Sequence, residues 1–281
     1  MKAEDFDMIA LLLKQRSGLV ITKDKAYLLE SRLMPVARKW SLKTLDDLAT
    51  ALRTQRDESL IGEVVDAMTT NETSFMRDRT PFDQFTNLIL PRLREARQTK
   101  KHLRIWSAAS STGQEAYSLA MLLNEEAPQM AGWKIDILGT DISKEVIDKA
   151  RQGIYSQFEI QRGLPINLLI KHFDKIGEKW QIKESMRKMV EFREGNLLAD
   201  LGPIGVFDVI FCRNVLIYFD APTKTKVLET LASVLAPDGV LYLGGAETVL
   251  GISEKFKPVE GQRGIYVLNN ASAAKMYATG G

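Results

Sequence analysis

From residue 103 onward short apolar runs alternate with amphipathic stretches, and this alternation limits the possible folds more than any other feature. LRIWSAA is followed by QEAYSLAMLLNEEA, WKIDILGTDIS by KEVIDKARQGIY, and FDVIFCRNVLIYF by TKTKVLETLASVLAPDG. VEFREGNLL, VLYLGGAE and GIYVL are further strand-like runs. Strands separated by helices are joined by crossovers rather than hairpins, which predicts an α/β fold with a doubly wound, mostly parallel sheet. Ligands of such a sheet bind beyond the carboxyl ends of its strands, near the point where strand order reverses.

The first 90 residues have another texture. DFDMIALLLKQRSG opens with acids in its first turn and closes on Gly18, a C-cap residue. In KDKAYLLESRLMPVARKW, Leu29, Leu33, Val36 and Trp40 recur at helical spacing and form a stripe to be buried. Lys25, Arg32 and Lys39, seven apart, form a second stripe beside it, with Arg38 on another face. Pro35 removes one helical hydrogen bond and predicts a bent or interrupted helix. TLDDLATALR and SLIGEVVDAMTT are two more amphipathic segments. The expected organisation is an all-α domain over 1–90, a linker over 91–102, the α/β domain over 103–270 and a flexible tail over 271–281.

Composition narrows the chemistry. The chain has 281 residues, 45% hydrophobic, enough to build a core. No run approaches the ~18 apolar residues of a membrane span. The opening MKAEDFDMIA is acidic before it is apolar and does not read as a signal peptide, so a cytoplasmic protein without membrane insertion is expected. One cysteine, Cys212, excludes a disulfide framework. With only His102 and His172 beside it, no metal site and no Cys/His nucleophile is expected. The net charge of +2 has its basic excess in 91–101, PRLREARQTKK, with five basic residues and one acid. A nucleic-acid binder shows a basic face across a domain, so no nucleic-acid partner is expected.

The strand ends carry the polar residues. The first run leads into Ala108-Ala109-Ser110-Ser111-Thr112-Gly113-Gln114-Glu115, small residues that let a backbone approach a ligand, or simply make a tight turn. Glu115 also suits a first helical turn. The second ends in Gly139-Thr140-Asp141, where an acid accepts ribose hydroxyls or caps the next helix in competition with Ser143. The third ends in Gly195-Asn196-Leu197-Leu198, suited to an adenine. In the fourth, Arg213 and Asn214 interrupt an apolar stretch and Tyr218 follows four residues later. A polar segment, Met68 to Asp78, closes the helical half and contains Arg77. Each of these has a structural explanation; four polar strand ends in this order point to a nucleotide-like ligand.

The segments MTTNETSFMRD, IWSAASSTGQEAYSLA, TDIS, FREGNLL and FDVIFCRNVLIYFD, in that order, resemble the bacterial chemotaxis receptor methyltransferases, the CheR family. The resemblance covers about residues 5–268. It implies an N-terminal helical domain and a Rossmann-like S-adenosylmethionine (SAM) domain carrying a small antiparallel β-subdomain. It also implies methylation of chemoreceptor glutamate side chains to γ-glutamyl methyl esters, with S-adenosylhomocysteine as product. By position, the resemblance puts Asn71, Thr73 and Arg77 near the methionine moiety and the methyl, and Glu115 at the cofactor's polar end. Asp141 falls at the ribose, Asn196 and Leu197 at the adenine, and Arg213 and Asn214 in a loop closing over the cofactor. Arg77 and Tyr218 become the catalytic candidates. Gln114 and Ala116 depart from the family's usual Glu and Pro.

In the family a basic helix docks the acidic receptor helices, which gives Lys25, Arg32, Arg38 and Lys39 a partner; a solvated charged face explains them equally. The β-subdomain is expected within about 170–193. Some members carry a glycine-rich loop there that binds a receptor pentapeptide; here only Gly177 is present, so no tight pentapeptide binding is expected. Two other readings stand beside this one. A nucleic-acid methyltransferase would resemble [DN]-P-P-[YFW] at the fourth strand, where this chain has Arg213-Asn214-Val215-Leu216. An adaptor that binds SAM without turnover would have lost Arg77, Asp141 or Tyr218.

Overall fold

The computed structural model describes residues 1–199 and 204–277. The chain divides into two units: Met1–Thr70 with Tyr218–Thr223, and Asn71–Ile217 with Lys224–Gly281.

The first unit is helical. Helix α1 (Ala3–Ser17) ends on Gly18 at φ 77°, whose N–H donates to the Lys14 carbonyl. A Cβ at Gly18 would also come within 3.0 Å of the Phe219 ring. Helix α2 (Ala26–Lys39) continues through Pro35, so of the expected bend or interruption the interruption does not occur. Pro35 and Ser31 are both exposed, so the carbonyl deprived of its donor can be solvated. Helix α3 (Leu45–Thr54) starts at a capping box between Thr44 and Asp47, and α4 (Glu58–Met68) at an Asp57 cap. Ile9, Leu13, Leu29, Leu33, Leu48, Leu60 and Val64 form the fully buried interior.

The second unit begins with α5 (Thr80–Gln84), a π-turn over Phe85–Ile89 and α6 (Leu90–Ala96). These segments, expected in the helical domain and the linker, belong instead to the second unit. Phe75, Phe82, Phe85, Ile89, Leu90 and Leu93 are buried in one core with the sheet residues. Phe82 stacks on Phe211 at 6.0 Å, and Phe211 on Tyr242 at 4.3 Å. Helical periodicity says that a face is buried, not against which core. The basic 91–101 segment is likewise anchored: Arg97 donates to Asp208 at 2.8 Å and to both oxygens of Asp238 at 2.6 and 2.7 Å.

The chain then runs through β1 (His102–Ala108), α7 (Gln114–Glu125), β2 (Lys134–Asp141), α8 (Lys144–Gln152), β3 (Ile154–Ser156), α9 (Gln157–Gln161) and α10 (Ile166–His172). After β4 (Phe173–Ile176), β5 (Lys179–Ile182) and α11 (Glu184–Arg187) come β6 (Val190–Glu194), β7 (Phe207–Cys212), α12 (Ala221–Val234), β8 (Leu235–Leu243), β9 (Phe256–Pro258), β10 (Ile265–Leu268) and α13 (Ala271–Tyr277). The large sheet has the order β6-β2-β1-β7-β8-β10-β9. Its first five strands are parallel; β10 is antiparallel to both β8 and β9. Strand order reverses between β1 and β7, which puts the ligand crevice at the end of β1.

The small antiparallel sheet has the order β3-β5-β4. It starts earlier than the expected 170–193, because β3 pairs with β5. It also ends earlier, because Val190 and Phe192 are buried on β6, which pairs with β2 in the large sheet. The predicted tail is helical as far as Tyr277: Ala273 and Tyr277 are buried, and the Tyr277 hydroxyl donates to the Asp238 carbonyl at 3.2 Å. The rest of that predicted tail, 278–281, lies outside the described residues.

Candidate active site

The register brings the strand ends level: Ala108 pairs with Thr140 on one side and Cys212 on the other. Beyond β1 the backbone turns through left-handed conformations at Ala109 (φ 56°), Ser111 (φ 50°) and Gly113 (φ 92°). Met76, Asp78, Arg79 and Asn214 also have positive φ, so six of the nine such non-glycine residues among the described residues lie in three loops. Strain of this kind persists only where surrounding contacts enforce it, and it collects at functional sites. Ser111 supplies part of that enforcement. Its N–H donates to Asp141 Oδ2 at 2.9 Å, and its hydroxyl donates to the Asn71 carbonyl at 2.8 Å.

Asp141 is buried, and Oδ1 accepts the Ser143 N–H at 3.1 Å. Burial raises its carboxyl above the ordinary value, against the pull of the Ser143, Ser111 and Ile142 N–H groups. Ser143 precedes α8 but makes no side-chain cap. Ser110 is buried and its Oγ has no hydrogen-bond partner among the described residues. Beyond β6, Asn196 Oδ1 accepts the Leu198 N–H at 2.9 Å, which sets the turn carrying buried Leu197.

Glu115, buried in the first turn of α7, accepts the Ser107 hydroxyl at 2.8 Å and Arg213 Nη1 at 2.9 Å. Arg213 Nη2 donates to Asp78 Oδ2 at 2.7 Å and to the Arg77 carbonyl at 3.0 Å. Its guanidinium lies 5.8 Å from the centre of the Phe82 ring. One arginine thus ties the end of β7 to α7 and to the strained Met76–Arg79 turn. Asp78 as its partner was not foreseen. Arg77 itself is half-buried and donates to the Glu72 carbonyl at 2.7 Å, and Thr73 is half-buried in the same loop. Glu72 is paired with Arg162, which pulls its carboxyl below the ordinary value. Cys212 is fully buried and burial pushes its thiol up, so it is an inert packing group.

Glu247 was also missed. It is buried, and its carboxylate accepts the N–H groups of Asn214, Val215, Leu216, Ile217 and Gly244 at 2.6–3.3 Å. The signal was present in VLYLGGAE, an acid shortly after a strand end.

The remaining candidates fall in the helical unit. Tyr218 is half-buried and its carbonyl accepts the Val20 N–H at 3.0 Å. Asp220, beside it, pairs with Lys14 at 2.6 Å, and that ammonium holds its carboxyl down to about 2. Of the basic stripe, Arg32 donates to the Met68 and Thr69 carbonyls at 2.8 and 3.1 Å, closing the end of α4. Lys39 pairs with Glu63 at 2.9 Å. Lys25, next to Asp24, and Arg38 are exposed.

The arrangement at the β1 end fits an adenosyl amino-acid ligand. Asp141 Oδ2 accepts the Ser111 N–H and Oδ1 the Ser143 N–H, and the carboxylate has acceptor positions left for ribose hydroxyls. Glu115 keeps lone pairs for an ammonium, and the orphaned Ser110 hydroxyl is a buried polar group in want of a partner. A mostly parallel sheet with its switch at this loop and an acid ending its second strand defines a Rossmann-like nucleotide-binding domain, the class that includes the SAM-dependent methyltransferases. The comparisons agree: residues 71–265 match the CheR methyltransferase, SAM binding domain, and residues 4–69 the CheR methyltransferase, all-alpha domain. The chain belongs to the CheR methyltransferase family. It is 40% identical over 256 residues to chemotaxis protein methyltransferase 1 of Vibrio cholerae, covering 90% of this chain and 92% of that protein. It is 39% identical over 265 residues to the chemotaxis protein methyltransferase of Vibrio anguillarum, covering 93% and 95%. Chemotaxis protein methyltransferase 1 of Pseudomonas aeruginosa is likewise 39% identical, with 93% and 96% covered. The two family segments meet at the 70/71 division of the structure.

Proposed function

We propose that this SAM-dependent enzyme methylates glutamate side chains on the cytoplasmic helices of chemoreceptors, and that it works in the cytoplasm. The observation that supports this reading is the pair of hydrogen bonds made by Ser111, which couples Asp141, the proposed ribose acceptor, to the Asn71–Arg79 loop, the proposed reacting end. Asp141 would hold the ribose, Asn196 and Leu197 the adenine, Glu115 the amino-acid end, and Asn71, Thr73 and Asn214 the rest of the cofactor. Arg213 braces these parts rather than reaching out. SAM supplies an electrophilic methyl on a sulfonium: the S–CH3 bond breaks with its electron pair left on sulfur as the O–CH3 bond forms.

A receptor glutamate is ionised near neutral pH, so the chain need supply no general base. Its work is to align the carboxylate oxygen with the methyl and to exclude water, and alignment alone is worth many orders of magnitude in rate. Arg77 is the proposed electrostatic guide for the incoming carboxylate and Tyr218 the proposed orienting hydroxyl. The turn between β4 and β5 is only Gly177-Glu178, which supports the reading that no tight pentapeptide contact is made.

The test is transfer of radiolabelled methyl from SAM to a purified chemoreceptor, followed by mild alkali. Label released as methanol identifies a carboxyl methyl ester. Alkali-stable label would mean a different acceptor, and no label with intact S-adenosylhomocysteine binding would favour an adaptor.

A further inference from the structure

We infer that Glu247 is a positioning residue for the cofactor loop. Buried carboxylates are costly unless satisfied, and this one is satisfied almost wholly by the backbone of one turn. Oε1 accepts the N–H groups of Val215, Leu216 and Ile217 at 2.9, 2.7 and 3.3 Å. Oε2 accepts those of Asn214 at 2.8 Å and Gly244 at 2.6 Å. The turn it binds starts at Asn214, held at φ 60°, in the left-handed region that asparagine tolerates better than other non-glycine residues. A Cβ at Gly244 would lie 2.7 Å from Glu247 Oε2 and 2.9 Å from Asn214 Nδ2, so carboxylate, amide and backbone are packed without slack. Four consecutive N–H groups converging on one anion define the turn's conformation as a helix N-terminus is defined by its cap. The carboxylate therefore sets where the Asn214 amide stands at the switch point of the sheet. The inference rests on the reading that Asn214 belongs to the cofactor site.

Glu247→Gln keeps the shape but turns an amide NH2 towards backbone donors. S-adenosylhomocysteine is titrated calorimetrically into the full chain, Glu247→Gln, Asn214→Ala and the double variant, with circular dichroism as the check on folding. Positioning predicts that Glu247→Gln raises the dissociation constant about tenfold, and that the double variant binds about as weakly as Asn214→Ala alone. In steady-state methyl transfer the KM for SAM rises while the KM for the receptor holds, a split that mere loss of folded protein does not produce. Parent-like affinity of a folded Glu247→Gln, or effects that multiply in the double variant, overturns the inference. Failure of the parent chain itself to bind would instead overturn the site reading. Should Glu247→Gln fail to fold, Gly244→Ala displaces the same carboxylate without removing its charge and must weaken binding; unchanged affinity there overturns the inference too.

Discussion

Arg213 and Glu115, 98 residues apart in sequence, pair at 2.9 Å with side chains only 2% and 12% exposed. Pairs this buried differ from surface ion pairs, because removing one partner strands a charge out of water. Arg213→Ala is therefore expected to lower unfolding free energy by about 3–5 kcal/mol. Arg213→Lys should recover only part of this, since one ammonium cannot serve Glu115, Asp78 and the Arg77 carbonyl in one plane. Urea unfolding curves measure both; a loss under ~1 kcal/mol for Arg213→Ala would put the pair with surface ion pairs.

The raised carboxyl of Asp141 sets a pH dependence for cofactor binding. In the proposed site the ionised carboxylate accepts two ribose hydroxyls; protonated, it gives up an acceptor position and becomes a donor. Affinity is complete above the raised pKa and is lost as pH falls through it, starting at a higher pH than for an aspartate at its ordinary 3.8. Titrations with S-adenosylhomocysteine run from neutral pH downward should show weakening that begins at a higher pH than an ordinary aspartate would give. Asp141→Asn should bind weakly throughout and flatten the profile. An acid limb that survives in Asp141→Asn would assign it to another group.

Gly163 positions the Phe75 loop. It has φ 103°, and a Cβ there would run into the Phe75 carbonyl oxygen. Phe75 is fully buried between Tyr155 and Phe173 at edge-to-face distances of 5.0 and 5.6 Å, so the loop cannot simply retreat. Gly163→Ala should cost about 1–3 kcal/mol and reduce methyl transfer by shifting Asn71–Arg79. Thermal unfolding and initial rates check it; parent-like values for both would mean that the loop gives way freely.

Within the basic stripe the four residues should behave differently. Arg32 and Lys39 are engaged by the end of α4 and by Glu63, whereas Lys25 and Arg38 are exposed. Lys25→Glu and Arg38→Glu should raise the KM for receptor and steepen with falling salt, without changing thermal stability. Arg32→Ala should lower stability instead, by the loss of bonds to the part-buried Met68 and Thr69 carbonyls. Equal effects of all four on receptor KM would return the stripe to a single docking face.

The α/β class, the strand ends and the acids Glu115 and Asp141 were legible because they depend on local information. Apolar period distinguishes strand from helix, and a polar residue closing an apolar run stands at a known point of a parallel sheet. The same logic reached Arg213 and Asn214 but not what they touch. Asp78 meets Arg213 across 135 residues and Glu247 meets Asn214 across 33, and no local pattern encodes such pairings. They follow from sheet order, which brings the ends of β1, β7 and β8 side by side. For the same reason the periodicity of Thr80 to Ala96 does not reveal that this stretch packs in the second unit's core, since amphipathicity specifies a buried face but not its neighbour. Pro35 shows the converse: the chain names the missing hydrogen bond, but the exposure of Ser31, which makes its loss tolerable, is a property of the packed helix.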